Sequence, residues 1–319
     1  MHEFDLIKKY FLNLSRHNKG SLNLNDDVFF DKSRKLVISI DSYLQGTHFI
    51  DFKKPDLVIK KIIRSSISDL ICKGVIPKYY FISGSGNKKS FSKKNLRKIS
   101  KSLKEEQKKY SIFLCGGDTT FSKNLGFTIT CIGFSSKIIY RNKAKMNDDI
   151  YVTGNLGDSY IGLKILKKKI SVNKSFYKYF TDKFYLPDIN IKLTKKLKSF
   201  CNTSIDLSDG LISDLEKLIN KQKFSYKLFL SDIPISNNLK KLINSKKLKK
   251  TQFISRGDDY QILFTASPNK SRIIMKTSKT LGIKISKIGK ICSSREKSQI
   301  IDQKGREINI KNKGYFHKF

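Results

Sequence analysis

The stretch SIDLSDG, residues 204–210, predicts a short strand that runs directly into the start of a helix. Ser208 is suited to cap that helix, and the carboxylates of Asp206 and Asp209 would lie on one side of its N-terminus. Outward from this stretch, short apolar runs alternate with amphipathic segments along the whole chain. The alternation predicts an α/β (α+β) fold.

The pattern of strands and helices restarts near residue 145. Strands are predicted over 36–40, 79–82, 112–115, 127–134, 149–152, 204–206, 226–230, 260–264 and 283–291. Helices are predicted over 4–14, 55–72, 91–110, 174–184, 187–200 and 270–281, with further helices beginning at Asp158 and after Gly210. A chain of 319 residues is long enough for two domains, and we predict them at 1–145 and 146–319.

The charge of the chain is strongly positive, with 65 Lys+Arg against 27 Asp+Glu and a formal charge of +38. Only nine of these cations are Arg, and the chain has two Ala and no Trp. This composition indicates nucleotide bias acting on surface positions, because Lys, Asn, Ile and Phe have AT-rich codons. A protein surface that binds nucleic acid would favour Arg, whose planar guanidinium donates paired hydrogen bonds to phosphate and to guanine. We therefore expect no specific nucleic-acid partner.

The sequence also bears on location. No uncharged apolar run reaches the length of a membrane span, and the N-terminal segment lacks the apolar core of a signal peptide. The five cysteines are scattered and form no CxxC pair, which disfavours a disulfide scaffold or a structural zinc site. We therefore expect a cytoplasmic protein with no membrane partner.

Aspartates recur in turn-like or strand-end positions, although acidic residues are scarce in this chain. The positions are Asp26-Asp27, Asp41, Asp69, Asp118 within the run GGDTT at 116–120, and Asp206 with Asp209. Two glycines let a backbone approach a phosphate closely, and short carboxylate side chains suit hard cations such as Mg²⁺. Together these residues predict a site for Mg²⁺ and phosphate groups, as phosphoryl transfer requires. Neither a P-loop nor the protein-kinase motif set occurs in the sequence.

The order of these motifs resembles the thiamine-monophosphate kinase family. The segments that carry the resemblance are Asp26-Asp27, Ser39-x-Asp41, Gly46-x-His48-Phe49, Ser68-Asp69-Leu70, residues 116–120, residues 152–158, residues 206–211, residues 257–260 and Gly314-Tyr315. The resemblance covers nearly the whole chain. It implies the two-domain fold of aminoimidazole ribonucleotide synthetase and selenophosphate synthetase. In that fold an N-terminal domain dimerises through its sheet, a C-terminal α/β domain follows, and ATP lies between them.

The resemblance implies transfer of the γ-phosphoryl group of ATP to thiamine monophosphate, giving thiamine diphosphate. It implies several Mg²⁺ ions as cofactor, ATP as co-substrate and a homodimer. The implied Mg²⁺ ligands are Asp27, Ser39, Asp41, Asp69, Asp118, Asp206 and Asp209. The implied ATP contacts are Gly117, Asp118, Arg141 and Ser208, and the implied substrate contacts are His48, Asp258 and Tyr315. We assign no catalytic base, because an acceptor phosphate is already ionised near neutral pH.

The chain departs from the family pattern mainly on the substrate side. The run Arg256-Gly257-Asp258-Asp259 stands where the family has Gly-Gly-Glu-Asp, which shortens the reach of residue 258 by one methylene group. Ile40 replaces a Thr and so removes one hydroxyl group, and the segment 316–318 differs from the family's Asp-His-Phe.

Two other functions remain as alternatives. The first is another ATP-dependent synthetase of the same fold, of the selenophosphate or purine-pathway type. It is disfavoured because no Cys lies in an N-terminal glycine-rich setting and the last one, Cys292, is far from the C-terminus. The second is a basic nucleic-acid-binding protein, which predicts affinity that falls steeply with salt. The kinase hypothesis predicts instead Mg²⁺-dependent ADP formation only when thiamine monophosphate is present.

Overall fold

The computed structural model describes residues 3–310 and 312–317, and its N-terminal half is built on one sheet. The strands are β1 (Phe29–Asp31), β2 (Leu36–Leu44), β3 (Pro77–Gly86), β4 (Phe113–Phe121) and β5 (Gly126–Phe134), in the spatial order β1-β2-β5-β3-β4. Neighbouring strands are antiparallel except β3 and β4, which are parallel. The parallel pair is connected through a helix, as parallel strands require.

The helices of this half are α1 (Glu3–Leu6), α2 (Pro55–Cys72) and α3 (Lys93–Tyr110). Short irregular helical turns follow α1 over Ile7–Phe11, Leu12–Ser15 and Lys19–Leu24. A proline opens α2, where its missing N–H costs no helical hydrogen bond. The hydroxyl of Ser92 caps α3 by accepting from the N–H of Asn95. α2 packs on β2 and β5, and α3 packs on α2, so these two helices cover one face of the sheet.

The C-terminal half is built on a second sheet, whose spatial order is β11-β8-β10-β6-β9-β7. Its strands are β6 (Asp149–Thr153), β7 (Thr203–Asp206), β8 (Phe224–Phe229), β9 (Ile262–Ala266), β10 (Ile285–Ser293) and β11 (Gln299–Ile301). Its helices are α4 (Asp158–Leu166), α5 (Lys174–Tyr185), α6 (Ile191–Leu197), α7 (Leu211–Leu218), α8 (Asn237–Lys246) and α9 (Ser271–Leu281). β8 and β11 are parallel, and the other neighbouring strands are antiparallel.

α2 is the element that joins the two halves. Its apolar side chains are buried on nearly all sides, and it contacts β7 and α5 as well as the first sheet. One continuous apolar cluster accordingly includes Ile59 and Ile62 of α2 together with Phe184 and Phe264 of the second half. A polar side chain near the end of α2 is therefore held between the halves.

The α/β (α+β) fold is confirmed, and the predicted helix over 55–72 has the predicted bounds. The predicted strand over 112–115 continues to Phe121, so the GGDTT run belongs to a strand. The predicted helix over 187–200 is shorter, because Asn190 has a non-helical backbone (φ −86°, ψ 53°). β1, α8 and β11 were not predicted. The division into domains at 1–145 and 146–319 stays a prediction, and the chain changes sheet between Phe134 and Asp149.

Among residues 3–310 and 312–317, no helix combines the length and the apolar character that crossing a bilayer requires.

Candidate active site

A cavity of about 830 Å³ lies between the two halves of the chain. β2, the turn at 46–50 and α2 line one side of it. Residues from the segments 206–209, 256–260 and 312–317 line the other. Small-molecule sites have volumes of about 300–1,000 Å³, so this cavity can hold a ligand of ordinary metabolite size.

Three carboxylates converge beside this cavity. Asp27, Asp69 and Asp206 each offer an oxygen, and these oxygens lie within 4.8 Å of one another. Asp27 lies in the loop before β1, Asp69 lies in the last turn of α2, and Asp206 ends β7. Oxygens this close repel one another unless protons or cations lie between them, and carboxylates are the ligands that hard divalent cations prefer. The donor set therefore fits Mg²⁺.

Asp41 and Asp209 extend this cluster into the cavity, which both of them line. Side chains alternate between the two faces of the sheet along β2, so Ser39, Asp41 and Tyr43 point toward α2. Ile40 points the opposite way and is 67% exposed. The phenol of Tyr43 donates to Asp41 Oδ2 at 3.0 Å, and the hydroxyl of Ser39 donates to the carbonyl of Ser66 at 3.5 Å. The Ile40 side chain therefore points away from the carboxylates.

Burial and mutual repulsion raise the pKa values of several carboxyl groups in and beside the cluster. Burial raises the pKa of Asp41 to about 6, with a further contribution from the charge of Asp209. Burial also raises the pKa of Asp206 to about 7 and that of Asp214 to about 6. The pKa of Asp69 is raised well above its ordinary value by burial and by the charges of Asp41 and Asp206. A bound divalent cation would oppose every one of these shifts.

Three cationic side chains contact the same carboxylates. Lys73 Nζ lies 2.7 Å from Asp26 Oδ1 and 2.6 Å from Asp27 Oδ2. The guanidinium of Arg141 pairs with Asp27. Lys217 pairs with Asp209 and lies 3.2 Å from Asp214 Oδ1. Part of the negative charge of the cluster is therefore already compensated by the chain itself.

Gly117 and Asp118 lie apart from this cluster within the chain. Asp118 is exposed on β4, and the main-chain N–H of Thr119 donates to its Oδ1 at 2.7 Å. β4 is three strands from β2, or about 14 Å at the usual strand spacing. In the cross-strand register Asp118 is aligned with Ser42, the residue that follows Asp41 on β2. Because successive side chains of a strand point to opposite faces of the sheet, Asp118 and Asp41 lie on opposite faces. The chain alone does not bring Asp118 to the other predicted ligands.

The predicted substrate residues do meet in the cavity. His48 Nδ1 accepts from the N–H of Leu44 at 2.9 Å, which leaves Nε2 as the protonated nitrogen of the neutral ring. Burial and the neighbouring His317 lower the pKa of His48, so the ring is neutral near pH 7. His317 lies between His48 and Tyr315, with ring centroids 5.6 Å and 5.0 Å away. Tyr315 is held by its N–H, which donates to the carbonyl of Asp209 at 2.9 Å.

The segment that departs from the family pattern lines the same cavity. Asp258 lies 2.5 Å from the buried Lys61 Nζ, and the hydroxyl of Ser159 donates to its other oxygen at 3.3 Å. Gly257 has φ +72°, and a Cβ there would lie 2.2 Å from the carbonyl oxygen of Ser208, so this turn requires glycine. The guanidinium of Arg256 lies 5.5 Å from the ring centroid of Tyr160. Ser208 itself lines the cavity, and its carbonyl accepts from the N–H of Asp258.

Four side chains of this region were missed by the sequence reasoning. Asp214 was not assigned a role, although it follows the stretch 204–210 and accepts from the N–H groups of Asp209 and Gly210 at 3.0 and 2.9 Å. Lys61, Lys73 and Lys217 gave no signal, because they are three among 56 lysines in this chain. Only their burial against carboxylates distinguishes them.

Comparison with known proteins adds to this geometry. Residues 24–135 match the family model described as AIR synthase related protein, N-terminal domain. A thiamine-monophosphate kinase from Haemophilus influenzae is 33% identical over 299 residues, covering 91% of this chain and 89% of its own. A thiamine-monophosphate kinase from Buchnera aphidicola subsp. Schizaphis graminum is 32% identical over 324 residues, covering 99% and 98%.

Among solved structures, one described as AaThiL complexed with AMPPCP and TMP has the same fold. Its TM-score is 0.84 at 23% identity, and the match covers 99% of this chain and 97% of that chain. The shared architecture therefore extends over both sheets.

Proposed function

This chain belongs to the thiamine-monophosphate kinase family, and we propose that it transfers the γ-phosphoryl group of ATP to the phosphate of thiamine monophosphate. The observation that carries this proposal is the convergence of Asp27, Asp69 and Asp206 beside a cavity that lies between the two halves. Phosphoryl transfer depends mostly on positioning and on neutralising charge, and such a cluster supports both.

We propose Mg²⁺ as the ion that this cluster holds. The ligands would come from Asp27, Asp41, Asp69, Asp206 and Asp209, and the buried hydroxyl of Ser39 would contribute nearby. Mg²⁺ supplies charge neutralisation and orientation of phosphate oxygens when it is bound. The raised pKa values of Asp41 and Asp206 support the assignment, because ionising these buried carboxyl groups is unfavourable without a nearby cation.

On the ATP side, the proposed contacts include Arg141 and Ser208. Arg141 presents a guanidinium that already pairs with Asp27, and such a planar donor suits phosphate oxygens. Ser208 lines the cavity itself. The roles of Gly117 and Asp118 stay predictions that depend on a second copy of the chain, because Asp118 lies on the open face of the first sheet.

On the acceptor side, His48, Asp258 and Tyr315 would hold thiamine monophosphate. A neutral His48 does not repel the cationic ring of the substrate, and the face of Tyr315 can attract that cation. Asp258 adds a carboxylate at the same cavity wall. No general base is needed, since the attacking oxygen belongs to a phosphate that is ionised near neutral pH.

We also propose that the protein is a homodimer formed through the open face of the first sheet. The large apolar side chains exposed on the strands of this sheet include Ile40, Leu44, Phe81, Phe113 and Phe134. In the cross-strand register these residues occupy every second row of the sheet, so their side chains all lie on one face. Isolated chains rarely expose so broad an apolar surface. The cytoplasm stays our prediction for its location.

The test of function is a steady-state assay with ATP, Mg²⁺ and either thiamine or thiamine monophosphate. We expect ADP to form only with thiamine monophosphate and only when Mg²⁺ is present. No turnover with either acceptor, in a sample shown to be folded, would contradict the proposal.

The metal assignment is tested separately by Asp209→Asn and Asp118→Asn. Each should lower kcat by about 100-fold or more while the melting temperature changes little. Asp232→Asn, at an exposed position outside the cavity, is the matched control and should keep the wild-type rate. Near-normal rates for Asp209→Asn or Asp118→Asn would show that the mutated carboxylate is not a ligand.

A further inference from the structure

Lys73 is a fully buried lysine at the C-terminal end of α2, and every proton on its ammonium group has an oxygen partner. Its Nζ lies 2.7 Å from Asp26 Oδ1 and 2.6 Å from Asp27 Oδ2, and it donates to the carbonyl of Ser204 at 2.8 Å. A buried charge is tolerated only when its partners satisfy it fully, and these three contacts do so. The ammonium is therefore held at one fixed place.

That place is the edge of the candidate metal cluster. Asp27 offers one oxygen to the group that it forms with Asp69 and Asp206, and its Oδ2 lies against Lys73. Oxygen ligands from two carboxylates and a main-chain carbonyl are also what a metal ion would use. Lys73 thus occupies a position with the donor set of a cation site.

The ammonium of Lys73 changes the net charge that bound metal ions would have to balance in this region. The carboxylates of this region, which adjoin one another or act on one another through their charges, are Asp26, Asp27, Asp41, Asp69, Asp206, Asp209 and Asp214. The cations paired with members of this group are Lys73, Arg141 and Lys217. Fully ionised, these named groups carry a formal charge of −4, which two divalent ions would balance. Without Lys73 the charge would be −5, and two divalent ions would leave it unbalanced.

We propose that Lys73 acts as a fixed internal cation of the metal cluster, holding Asp26 and Asp27 in the place of a further metal ion. It is a positioning residue, since it acts through the carboxylates. A lysine suits this role because its ammonium is a compact point charge with three donors, one for each of the three oxygens. The inference rests on the proposed function only in treating the cluster as a divalent-cation site.

The test is to remove the charge and count metal ions. Lys73→Met keeps the length and the apolar stem of the side chain but leaves Asp26 and Asp27 without their ammonium. We expect the purified variant, titrated with Mn²⁺ and followed by electron paramagnetic resonance, to bind one more ion per chain than the wild type. Alternatively, it should bind the same ions at least about tenfold more tightly. Mn²⁺ should also raise its melting temperature by more than that of the wild type.

Two further variants separate this role from general packing. Asp26→Asn combined with Lys73→Met removes one charge of each sign, and it should return Mn²⁺ binding to the wild-type count. Lys287→Met breaks an ion pair of the same length nearer the surface, in which Lys287 Nζ lies 2.6 Å from Asp149 Oδ1 in the second sheet. It should leave Mn²⁺ binding unchanged. Should Lys73→Met fail to purify, Lys73→Gln is measured by the same criteria, because it also lacks the charge.

Unchanged Mn²⁺ number and affinity in the charge-removed variant, including no binding by either protein, would overturn the proposal. So would extra binding that persists in the double variant. Neither result depends on nucleotide or thiamine monophosphate, so failure of the kinase proposal would appear separately, as absent ADP formation by the wild type.

Discussion

Lys61 shows how a single buried side chain prepares the substrate side of the cavity. Its Nζ donates to the carbonyl of Phe184 at 3.0 Å and lies 2.5 Å from Asp258 Oδ1. It also lies 4.0 Å from the ring centroid of Phe184. Asp258 has a left-handed backbone (φ 66°), so its direction is fixed both by the turn and by this ion pair. Lys61 therefore positions the one carboxylate that is shorter than the family pattern.

Removing this cation should affect substrate binding more than the chemical step. For Lys61→Met we expect KM for thiamine monophosphate to rise by about 10- to 100-fold with a smaller change in kcat. Lys53→Met removes an exposed lysine that lies 3.6 Å from Asp51, and it should leave both constants unchanged. An unchanged KM in a folded Lys61→Met variant would show that Asp258 is oriented without the ion pair, or does not touch the substrate.

The raised pKa values of Asp41 and Asp206 predict how metal binding depends on pH. Their values of about 6 and about 7 exceed the ordinary 3.8, so the folded metal-free chain holds these protons more tightly than the unfolded chain does. The stability of the metal-free protein should therefore fall as the pH rises toward 7. Mg²⁺ must displace protons at pH 6 but hardly at pH 8. We expect Mg²⁺ to raise the melting temperature more at pH 8, and an equal rise at both pH values would contradict these shifts.

At the scale of elements, the sequence predicted strands and helices well where periodicity is strong and poorly where tertiary contacts decide. α2 was predicted with its bounds, because a proline opens it and its apolar residues recur at helical spacing. The segment 116–120 was expected to follow a strand that ends at 115 and to approach a phosphate, yet it continues β4 beside β3. Glycine is required there for a close approach: a Cβ on Gly117 would lie 1.8 Å from the carbonyl oxygen of Ile82.

This close approach predicts that Gly117→Ala disturbs the pairing of β3 with β4. The variant should lose about 1–3 kcal/mol of stability, measured by denaturant unfolding, because the added carbon meets rigid backbone. Gly84→Ala on β3 is the matched control, since its Cβ would meet only the side-chain rings of Phe91 and Phe127, at 3.3 Å and beyond, and no backbone atom. If Gly117→Ala weakened ATP binding without loss of stability, the glycine would serve the nucleotide and not the strand.

The aspartates of the site were predictable from sequence, whereas its cations were not. Asp27, Asp41, Asp69 and Asp206 stand out because acidic residues are scarce and these occur at strand ends, turns and one helix. Lys73, which pairs with Asp27, lies far from it in sequence and carries no local pattern. Such pairings arise only when α2 is packed between the two sheets. The lysine-rich composition therefore makes the aspartates easy to single out from the sequence and the lysines beside them hard to single out.

At the scale of the whole molecule, one face of the first sheet is covered by helices and the other carries exposed apolar side chains. Ile40 is 67% exposed and Phe81 is 38% exposed, and their cross-strand partners place them in one row. β4 is exposed along its whole length. The sequence suggested this arrangement only through the family resemblance, because alternation along a strand does not tell which face meets a partner.

The dimer proposal predicts that a charge on this face separates the chains. Phe81→Lys should convert the protein from a dimer to a monomer in light scattering coupled to size-exclusion chromatography, because a buried lysine would lack a partner. Ile273→Lys on α9, at a residue of similar exposure in the other half, should leave the assembly unchanged. A wild-type protein that is monomeric at assay concentrations would contradict the proposal directly.

We propose above all that a carboxylate cluster held between the two halves supports transfer of one phosphoryl group from ATP to thiamine monophosphate. Phosphorus NMR of a reaction with ATP, Mg²⁺ and thiamine monophosphate tests it most directly, because it resolves every product. We expect equal amounts of ADP and thiamine diphosphate, with neither inorganic phosphate nor AMP accumulating. Release of inorganic phosphate in step with ADP would indicate a synthetase-type reaction, and it would contradict the claim.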